Sequence, residues 1–419
     1  MIKRDVFNNG LCLLTESMPD VRSVSLGAWL ARGSRHEGAA AGIAHFTEHM
    51  LFKGTTSRSA EDIAQQADSI GGQLNAFTAK ECASYYIKVL DEHLPRAVDL
   101  VSDLLRSPAF HDDDVGREKK VILEEIKMGE DIPDELVHEL FAESFWPKHP
   151  LGRSIAGSPE SVSSITSASL RIFFERTYVA DNLVVTAAGN LEHAAVRDLI
   201  EQSFGDLPSR AESIDQAPPI TQPRLMVRTK DIEQSHLCLG TPGYSQTHED
   251  RYPSYVLNTV LGGSMSSRLF QNIREKRGLA YAVSSSLESY RDVGALTIYA
   301  GCAATEVAEV IDLVVAELRD LKARSIPAEE LQRAKDISKA NLVFGLESTA
   351  SRMSQLARSE LYFGRQIDLS EDLACLDSVN ADDVQRVAAD LFSKGDLAVT
   401  VLGPKCGPSP SIEQLDLGC

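Results

Sequence analysis

Residues 165–189 read ITSASLRIFFERTYVADNLVVTAAG, and residues 379–403 read VNADDVQRVAADLFSKGDLAVTVLG. The two segments align without a gap. Each opens on a polar capping residue, Thr166 or Asn380, ahead of an amphipathic helix. Each then passes through an aromatic residue and a polar turn into a strand that ends at a glycine. Self-similarity of this kind predicts that the chain is an internal duplication.

Earlier parts of the two halves repeat more loosely. The strand predicted at 23–27 resembles the one at 235–240, and further strands follow in each half. Two long helical stretches then occur in each half, at 95–105 and 112–128 and again at 305–321 and 328–344. Strands mixed with long helices on this scale predict an α+β fold. We expect two homologous α/β-sandwich (roll) domains, each a mostly antiparallel sheet with helices packed on one face.

A polar, proline-rich stretch at 208–223 separates the two halves and shows no hydrophobic periodicity. Such a composition is typical of an extended linker. The predicted domains are therefore an N-terminal domain at 1–207 and a homologous C-terminal domain at 224–419, each about 200 residues long.

Composition and charge exclude several classes of protein. The formal net charge of −19 argues against nucleic-acid binding, which needs a basic surface, and it suits basic ligands. The seven cysteines are odd in number and form no CxxC pair, so neither a disulfide framework nor a cysteine zinc site is predicted. The amino terminus resembles neither a secretory signal nor a transit peptide, and no apolar run is long enough to cross a bilayer. With this start, the sequence predicts a cytoplasmic protein without membrane attachment.

Two histidines four residues apart lie in the stretch His45-Phe46-Thr47-Glu48-His49. On a helix, residues at this spacing lie on one face, so both imidazoles can bind one ion. Zinc prefers such nitrogen ligands and leaves one position to water in catalytic sites. Glu48 lies where its carboxylate can reach that water and accept its proton. The inverted HxxEH pattern therefore predicts the catalytic zinc site of a metallopeptidase.

A third zinc ligand must come from another element, preferably from an acidic residue. The helix predicted at 112–128 offers Glu118, Glu124 and Glu125. Glu118 and Glu125 are about 700° apart around a helix, nearly two whole turns, so they share a face that Glu124 does not. One of this pair can bind zinc while the other orients a histidine, and the spacing leaves open which does which.

These features resemble the inverted-motif zinc peptidases, the family of pitrilysin, insulin-degrading enzyme and the mitochondrial processing peptidase. Residues 45–55, HFTEHMLFKGT, match the family signature HFxEHMxFKGT, and the likeness extends over nearly the whole chain. It is strongest to half-size bacterial members that resemble the processing peptidase. The resemblance implies one zinc ion per chain, Glu125 as its third ligand, and Glu118 as the second glutamate of the catalytic site.

Residues 71–78, GGQLNAFT, resemble a family segment that forms an edge strand and holds the substrate. The resemblance implies that Asn75, Ala76 and Phe77 bind substrate, mainly through their backbone. An extended peptide that adds to a sheet edge makes main-chain hydrogen bonds, so sequence selectivity can be loose.

Residues 269–281, LFQNIREKRGLAY, resemble a further family segment in which an arginine and a tyrosine lie seven residues apart. These correspond to Arg274, which would hold substrate backbone, and Tyr281, which would stabilise the oxyanion. The second half has no HxxEH motif. The resemblance therefore implies a dimer in which Arg274 and Tyr281 of one chain complete the zinc site of the other. A homodimer is expected, although a heterodimer with a homologous chain would leave the same residues.

The sequence thus predicts a zinc-dependent endopeptidase that cleaves short or unfolded peptides inside a closed chamber, with Glu48 activating the zinc-bound water. The alternative is a non-catalytic structural or partner subunit of the same family. Such subunits typically lose part of the zinc constellation, whereas every residue of that constellation is present in this sequence. A zinc hydrolase acting on a non-peptide amide is a third interpretation, against which the substrate-strand motif argues.

Overall fold

The computed structural model describes residues 2–210, 216–392, 397–404 and 412–417. Part of the linker predicted at 208–223, residues 211–215, lies outside this description, and the described remainder contains no helix or strand. None of the described helices is long and apolar enough to cross a membrane.

The described residues form two β-sheets. The strands of the first sheet are β1 (Ile2–Val6), β2 (Cys12–Ser17), β3 (Ser23–Leu30), β4 (Gln73–Thr78), β5 (Ala83–Leu90) and β6 (Leu183–Gly189). Those of the second sheet are β7 (Leu225–Thr229), β8 (Ser235–Gly243), β9 (Ala280–Ser289), β10 (Gly294–Cys302) and β11 (Ala398–Gly403).

Helices occupy most of the remaining described chain. Those of the first half are α1 (Ile43–Leu51), α2 (Ala60–Ser69), α3 (Leu94–Arg106), α4 (Asp112–Glu130), α5 (Pro133–Phe145), α6 (Pro159–Ser164), α7 (Ser167–Thr177) and α8 (His193–Phe204). Those of the second half are α9 (Arg251–Leu261), α10 (Val307–Ala323), α11 (Ala328–Gly345), α12 (Thr349–Phe363), α13 (Leu369–Ser378) and α14 (Ala381–Leu391). A short π-helical segment at Phe270–Glu275 precedes β9.

The strand orders of the two sheets confirm the predicted duplication. The first sheet runs β1-β2-β6-β3-β5-β4 and the second runs β7-β11-β8-β10-β9. In each sheet one pair is parallel, β2 with β6 and β7 with β11, and every other pair is antiparallel. Apart from β1, the two orders are the same. The mostly antiparallel α+β architecture is therefore the one that the sequence predicts.

The two compact units of the structure do not follow contiguous halves of the chain. The first unit comprises 1–128, 153–216 and 345–366, and the second comprises 129–152, 217–344 and 367–419. Helix α5 of the first half thus belongs to the second unit, and helix α12 of the second half belongs to the first. The predicted bounds, 1–207 and 224–419, follow the repeat in the sequence and do not include this exchange of helices.

In the first unit, both faces of the sheet are covered by helices. Leu26 and Ile87 point to one face, where they pack with α3 and α8 around the main core. Trp29 and Val184 point to the other face, where they pack with Met353 of α12. The prediction placed helices on one face only, and the structure adds a single helix on the second face. Because β3 and β6 are buried along nearly their whole length, each of their faces requires such cover.

The second unit repeats this arrangement. Helices α10 and α14 pack on one face of its sheet, and α5 covers the other face with Phe141 and Phe145. One glycine on β3 and one on β8 make room for the exchanged helices. A Cβ atom on Gly27 would lie 2.7 Å from the sulfur of Met353, and one on Gly240 would lie 2.5 Å from the Phe141 ring.

Candidate active site

Helix α1 carries both histidines and the glutamate of the HxxEH motif. Its apolar side, with Phe46 and Met50, is buried in a small core of its own, so the opposite side turns His45, Glu48 and His49 away from that core. The two imidazole rings lie edge to face with centroids 4.5 Å apart. Their Nε2 atoms are 3.2 Å apart. The local helix geometry therefore brings the two nitrogens together as the spacing predicts.

Helix α4 contributes the carboxylates. Glu125 places Oε1 3.7 Å from Nε2 of His45 and Oε2 3.6 Å from Nε2 of His49. Glu118, seven residues earlier on α4, lies on the other side of His49, with Oε1 2.8 Å from Nδ1. Of the two glutamates that share a helical face, Glu125 is thus next to both Nε2 atoms, and Glu118 contacts the far nitrogen of one ring.

The donor set of His45, His49 and Glu125 fits a zinc ion. The three ligand atoms lie within 4.8 Å of one another. Two nitrogens at zinc-binding distance in tetrahedral geometry would be about 3.3 Å apart, close to the observed 3.2 Å. Burial, together with the neighbouring His49, lowers the pKa of His45 to about 4. His45 is therefore neutral near pH 7, which is the form that binds a metal.

Glu118 orients His49. Burial alone would raise the pKa of Glu118, but its hydrogen bonds with His49 and Lys53 outweigh burial and lower it. Lys53 Nζ lies 2.7 Å from Oε2 of Glu118. The charged carboxylate accepts the Nδ1 proton of His49, which leaves Nε2 unprotonated and directed at Glu125.

Glu48 lies beside the ligands and contacts neither imidazole nitrogen by a described hydrogen bond. Its Oε2 accepts a 2.5 Å hydrogen bond from the hydroxyl of Thr78, the last residue of β4. Burial raises the pKa of Glu48, although the Thr78 hydroxyl and the neighbouring His49 oppose this rise. A carboxylate with a raised pKa is better suited to accept a proton from water than one with the ordinary value.

Strand β4 is an edge strand of the first sheet. The side chain of Asn75 accepts a 2.8 Å hydrogen bond from the backbone N–H of Ala76, so this N–H points away from β5. The Phe77 ring is partly exposed and lies edge to face with Trp29 at 5.6 Å. The three residues predicted to hold substrate therefore lie on an edge strand, directly before the Thr78 that contacts Glu48.

Arg274 and Tyr281 belong to the second unit. Arg274 is in the π-helical segment, and Tyr281 is in β9, the edge strand of the second sheet. The Arg274 guanidinium lies 4.8 Å from the centroid of the Tyr281 ring and 4.7 Å from that of Phe270. Tyr281 is 79% exposed. The structure thus brings these two predicted residues together, and their roles stay predictions.

Three residues around the motif helix escaped the sequence reasoning as functional candidates. Lys53 and Thr78 each lie inside a family-like segment, so their position next to the key residues was a usable signal. Glu37 accepts hydrogen bonds from the backbone at the start of α1. An acidic residue shortly before a predicted helix is a typical sign of such capping.

Comparisons with known proteins identify the family of this chain. The family model described as Insulinase (Peptidase family M16) matches residues 12–159, and the one described as Peptidase M16 inactive domain matches residues 164–338. The uncharacterized zinc protease YmxG of Bacillus subtilis (strain 168) is 42% identical over 98% of this chain and 100% of its own length. An uncharacterized zinc protease of Mycobacterium tuberculosis (strain ATCC 25618 / H37Rv) is 42% identical over 96% of this chain and 93% of its own length.

Solved structures support the fold. A protease from Helicobacter pylori has a TM-score of 0.91 at 23% identity, over 96% of this chain and 100% of the other. A structure from Pseudomonas fluorescens described as a peptidase M16 inactive domain has a TM-score of 0.90 at 22% identity, over 98% of this chain and 99% of the other. The relatives of this chain are named zinc proteases, and its fold is that of peptidase M16 structures. The chain belongs to peptidase family M16, and within this pitrilysin-type family it is a half-size member.

Proposed function

We propose that the protein is a zinc-dependent endopeptidase that cleaves short or unfolded peptides. One observation carries this proposal: His45, His49 and Glu125 place three ligand atoms within 4.8 Å of one another. Glu48 lies next to this cluster without being part of it. A non-catalytic subunit would have no reason to retain both a metal-binding triad and an adjacent base.

When bound, zinc supplies Lewis acidity that acidifies a coordinated water molecule and polarises the peptide carbonyl. The Glu48 carboxylate would accept a proton from an attacking water molecule and return it to the departing amine. The Thr78 hydroxyl holds the carboxylate of Glu48 in place before the reaction. Glu118 keeps His49 in the tautomer that donates its Nε2 lone pair.

The substrate would add to the open edge of β4 as an extended strand. The N–H of Ala76 points toward this edge and donates to its neighbour Asn75, so an arriving peptide carbonyl can replace the Asn75 oxygen. Main-chain pairing of this kind requires an extended segment and can order a peptide of almost any sequence. The net charge of −19 favours basic peptides over acidic ones.

Arg274 would hold the substrate backbone and Tyr281 would stabilise the oxyanion. Their stacking on each other, with Tyr281 largely exposed, supports a binding role, since an exposed tyrosine held by a guanidinium is ready to donate its hydroxyl. We propose that these two residues act on the zinc site of a second copy of the chain, so that the active enzyme is a homodimer with a closed chamber.

The activity is tested with a quenched basic peptide of about 10–20 residues, with and without a zinc chelator. The wild type should cleave it, and chelation should abolish cleavage. Glu48→Gln should bind zinc and cleave at least about 100-fold more slowly, because the base is lost. Glu125→Gln should lose zinc, whereas the neighbouring Glu124→Gln should lose neither zinc nor activity, because Glu124 is bonded to Lys127 instead. Undiminished cleavage by Glu48→Gln would refute the mechanism.

The homodimer is tested by mixing two inactive variants. Glu48→Gln and Tyr281→Phe each disable one of the two contributions that the proposal assigns to different chains. Mixed dimers would contain one site with both native contributions, so part of the activity should return. If subunits exchange, as shown by a labelled chain, and the mixture stays inactive, the proposed sharing of the site is wrong.

A further inference from the structure

Helix α1 begins without a capping side chain of its own. Its N-cap residue is Gly42, in the left-handed region at φ 88°, and glycine has no side-chain oxygen to offer the first-turn N–H groups. Glu37 supplies both acceptors instead. Its Oε2 accepts from the N–H of Gly42 at 2.9 Å, and its Oε1 accepts from the N–H of Ala44 at 2.8 Å.

Glu37 is itself held firmly. Glu37 is only 9% exposed, and it directly follows a short 3-10 turn at Ser34–His36. The N–H groups of Ser34 and Arg35 donate to the backbone after β4, at 3.0 and 2.8 Å. The Arg35 guanidinium forms a 2.6 Å ion pair with Glu81 in which both side chains are nearly buried. The Glu37 carboxylate caps the start of α1. The contacts of Ser34 and Arg35 therefore connect this cap to the loop that follows the edge strand β4.

The two histidine rings of the motif are held in place in different ways. His49 is fixed through its ring, because Nδ1 is bonded to Glu118. The Nδ1 atom of His45 is buried and has no hydrogen-bond partner among the described residues. A metal-binding histidine is usually fixed through its second nitrogen. With no such partner described for the His45 ring, its orientation depends on the backbone of the first turn, and Ala44, which Glu37 binds, directly precedes it.

We infer that Glu37 is a positioning residue of the metal site, which fixes the first turn of α1 and thereby aims His45 at the ion. Glu37 would orient His45 by binding the backbone of the first turn, whereas Glu118 orients His49 by binding its ring. This inference rests on the proposed zinc site, but it does not require that the protein cleave peptides.

The energetics of Glu37 support this role. Burial raises the pKa of Glu37 to about 7, against the opposing effect of the two N–H groups and the charges of Lys80 and Arg153. Burial disfavours the charged form of the Glu37 carboxyl group, whereas an ordinary helix-capping side chain is exposed to solvent. Groups with such perturbed pKa values concentrate at functional sites.

The test measures zinc affinity directly. Metal-free wild type, Glu37→Gln and Glu37→Asp are titrated with zinc against a chromophoric chelator, and cobalt absorption reports the ligand geometry. Glu37→Gln has one acceptor oxygen and presents an amide N–H to the second donor, so affinity should fall about 10-fold or more. Glu37→Asp keeps the charge but is too short to reach both N–H groups, so an intermediate loss is expected.

Asp383→Asn is the matched control. Asp383 accepts from the backbone N–H of Asn380 at the start of α14 in the second unit, so this change alters a helix cap that lies on another helix. Its zinc affinity should stay within about twofold of the wild type. Zinc affinity and a cobalt spectrum like those of the wild type in a folded Glu37→Gln would overturn the inference. If Glu37→Gln does not fold, an unchanged affinity of Glu37→Asp overturns it and a loss supports it.

These outcomes separate the inference from the proposed function. A wild-type protein that binds no zinc would refute the zinc site itself. A wild type that binds zinc while both Glu37 variants bind it equally well would refute only the role of Glu37.

Discussion

Replacing Arg268 by methionine should loosen the π-helical segment Phe270–Glu275. Arg268 precedes this segment and is bonded to two helices at once. Its Nε and Nη2 atoms donate to both oxygens of Glu330 on α11, at 2.9 and 2.8 Å, and Nη1 donates to Asp320 on α10 at 2.8 Å. Segments of π-helix are rare and are frequently found at functional sites, and this one carries Arg274.

The expected loss of stability follows from the burial of the ion pairs that Arg268 forms. The Arg268 side chain is 15% exposed, and those of Glu330 and Asp320 are 18% and 35% exposed. Removing one partner of a buried ion pair costs about 3–5 kcal/mol, because the remaining charge is left uncompensated. Since Asp320 retains access to water, we expect Arg268→Met to lower the free energy of unfolding of the second unit by about 3 kcal/mol. Arg268→Met combined with Glu330→Met should recover most of this loss.

Each unit contains one of the two tryptophans, Trp29 in the first and Trp146 in the second. In a Trp29→Phe background, urea unfolding followed by fluorescence therefore reports on the second unit. Arg386→Met is the matched control, since its 2.7 Å pair with Asp250 is about half exposed on the arginine side and contributes about 1 kcal/mol or less. An Arg268→Met protein within about 0.5 kcal/mol of its parent, an effect no larger than a typical surface substitution, would refute the reasoning.

Three further predictions concern α12, the start of α1 and Glu37. Leu356→Ala should cost about 2–5 kcal/mol in urea unfolding, because Leu356 is buried under the first sheet, whereas the exposed Ile172→Ala should cost about 0.5 kcal/mol or less. Gly42→Ala should weaken zinc binding in the chelator titration, because residue 42 has φ 88° and a Cβ there would lie 2.6 Å from a backbone oxygen. Burial raises the pKa of Glu37 from 4.5 to about 7, so the folded protein holds a proton that the unfolded chain has released between these values. Stability should therefore fall by about 3 kcal/mol as pH rises through that window, and urea unfolding of Glu37→Gln at pH 5 and pH 8 should lack this decline.

Local patterns predicted much of the fold. The repeat of 165–189 at 379–403 predicts a helix and a strand in each half, and the structure has α7 and β6 in one half and α14 and β11 in the other. The exchange of α5 and α12 was not predictable in this way. An amphipathic pattern shows that a helix face must be buried, but it does not show which sheet buries it. The only local sign is indirect: Gly27 and Gly240 leave space on each sheet for a bulky neighbour.

In the candidate site, too, local patterns predict some contacts and the packing of distant segments determines the others. His45, Glu48 and His49 are neighbours on one helix, so helical geometry alone brings them together. The choice between Glu118 and Glu125 depends on how α4 lies against α1, and helical spacing does not contain that information. Contacts such as the capping of α1 join segments that are separated by loops, so only the folded chain reveals them.

The two copies of the repeat carry different candidate residues. In the first unit α1 packs against the edge strand β4, and in the second unit α9 packs against the edge strand β9. The place that holds the metal triad in the first copy holds neutral hydrogen bonds in the second, where Ser285 donates to the Asn258 side chain at 2.7 Å. The second copy instead presents Arg274 and Tyr281 at its edge strand. In this chain the two sets lie on different copies of the repeat, so Tyr281→Phe should leave zinc affinity unchanged and slow the cleavage of peptide.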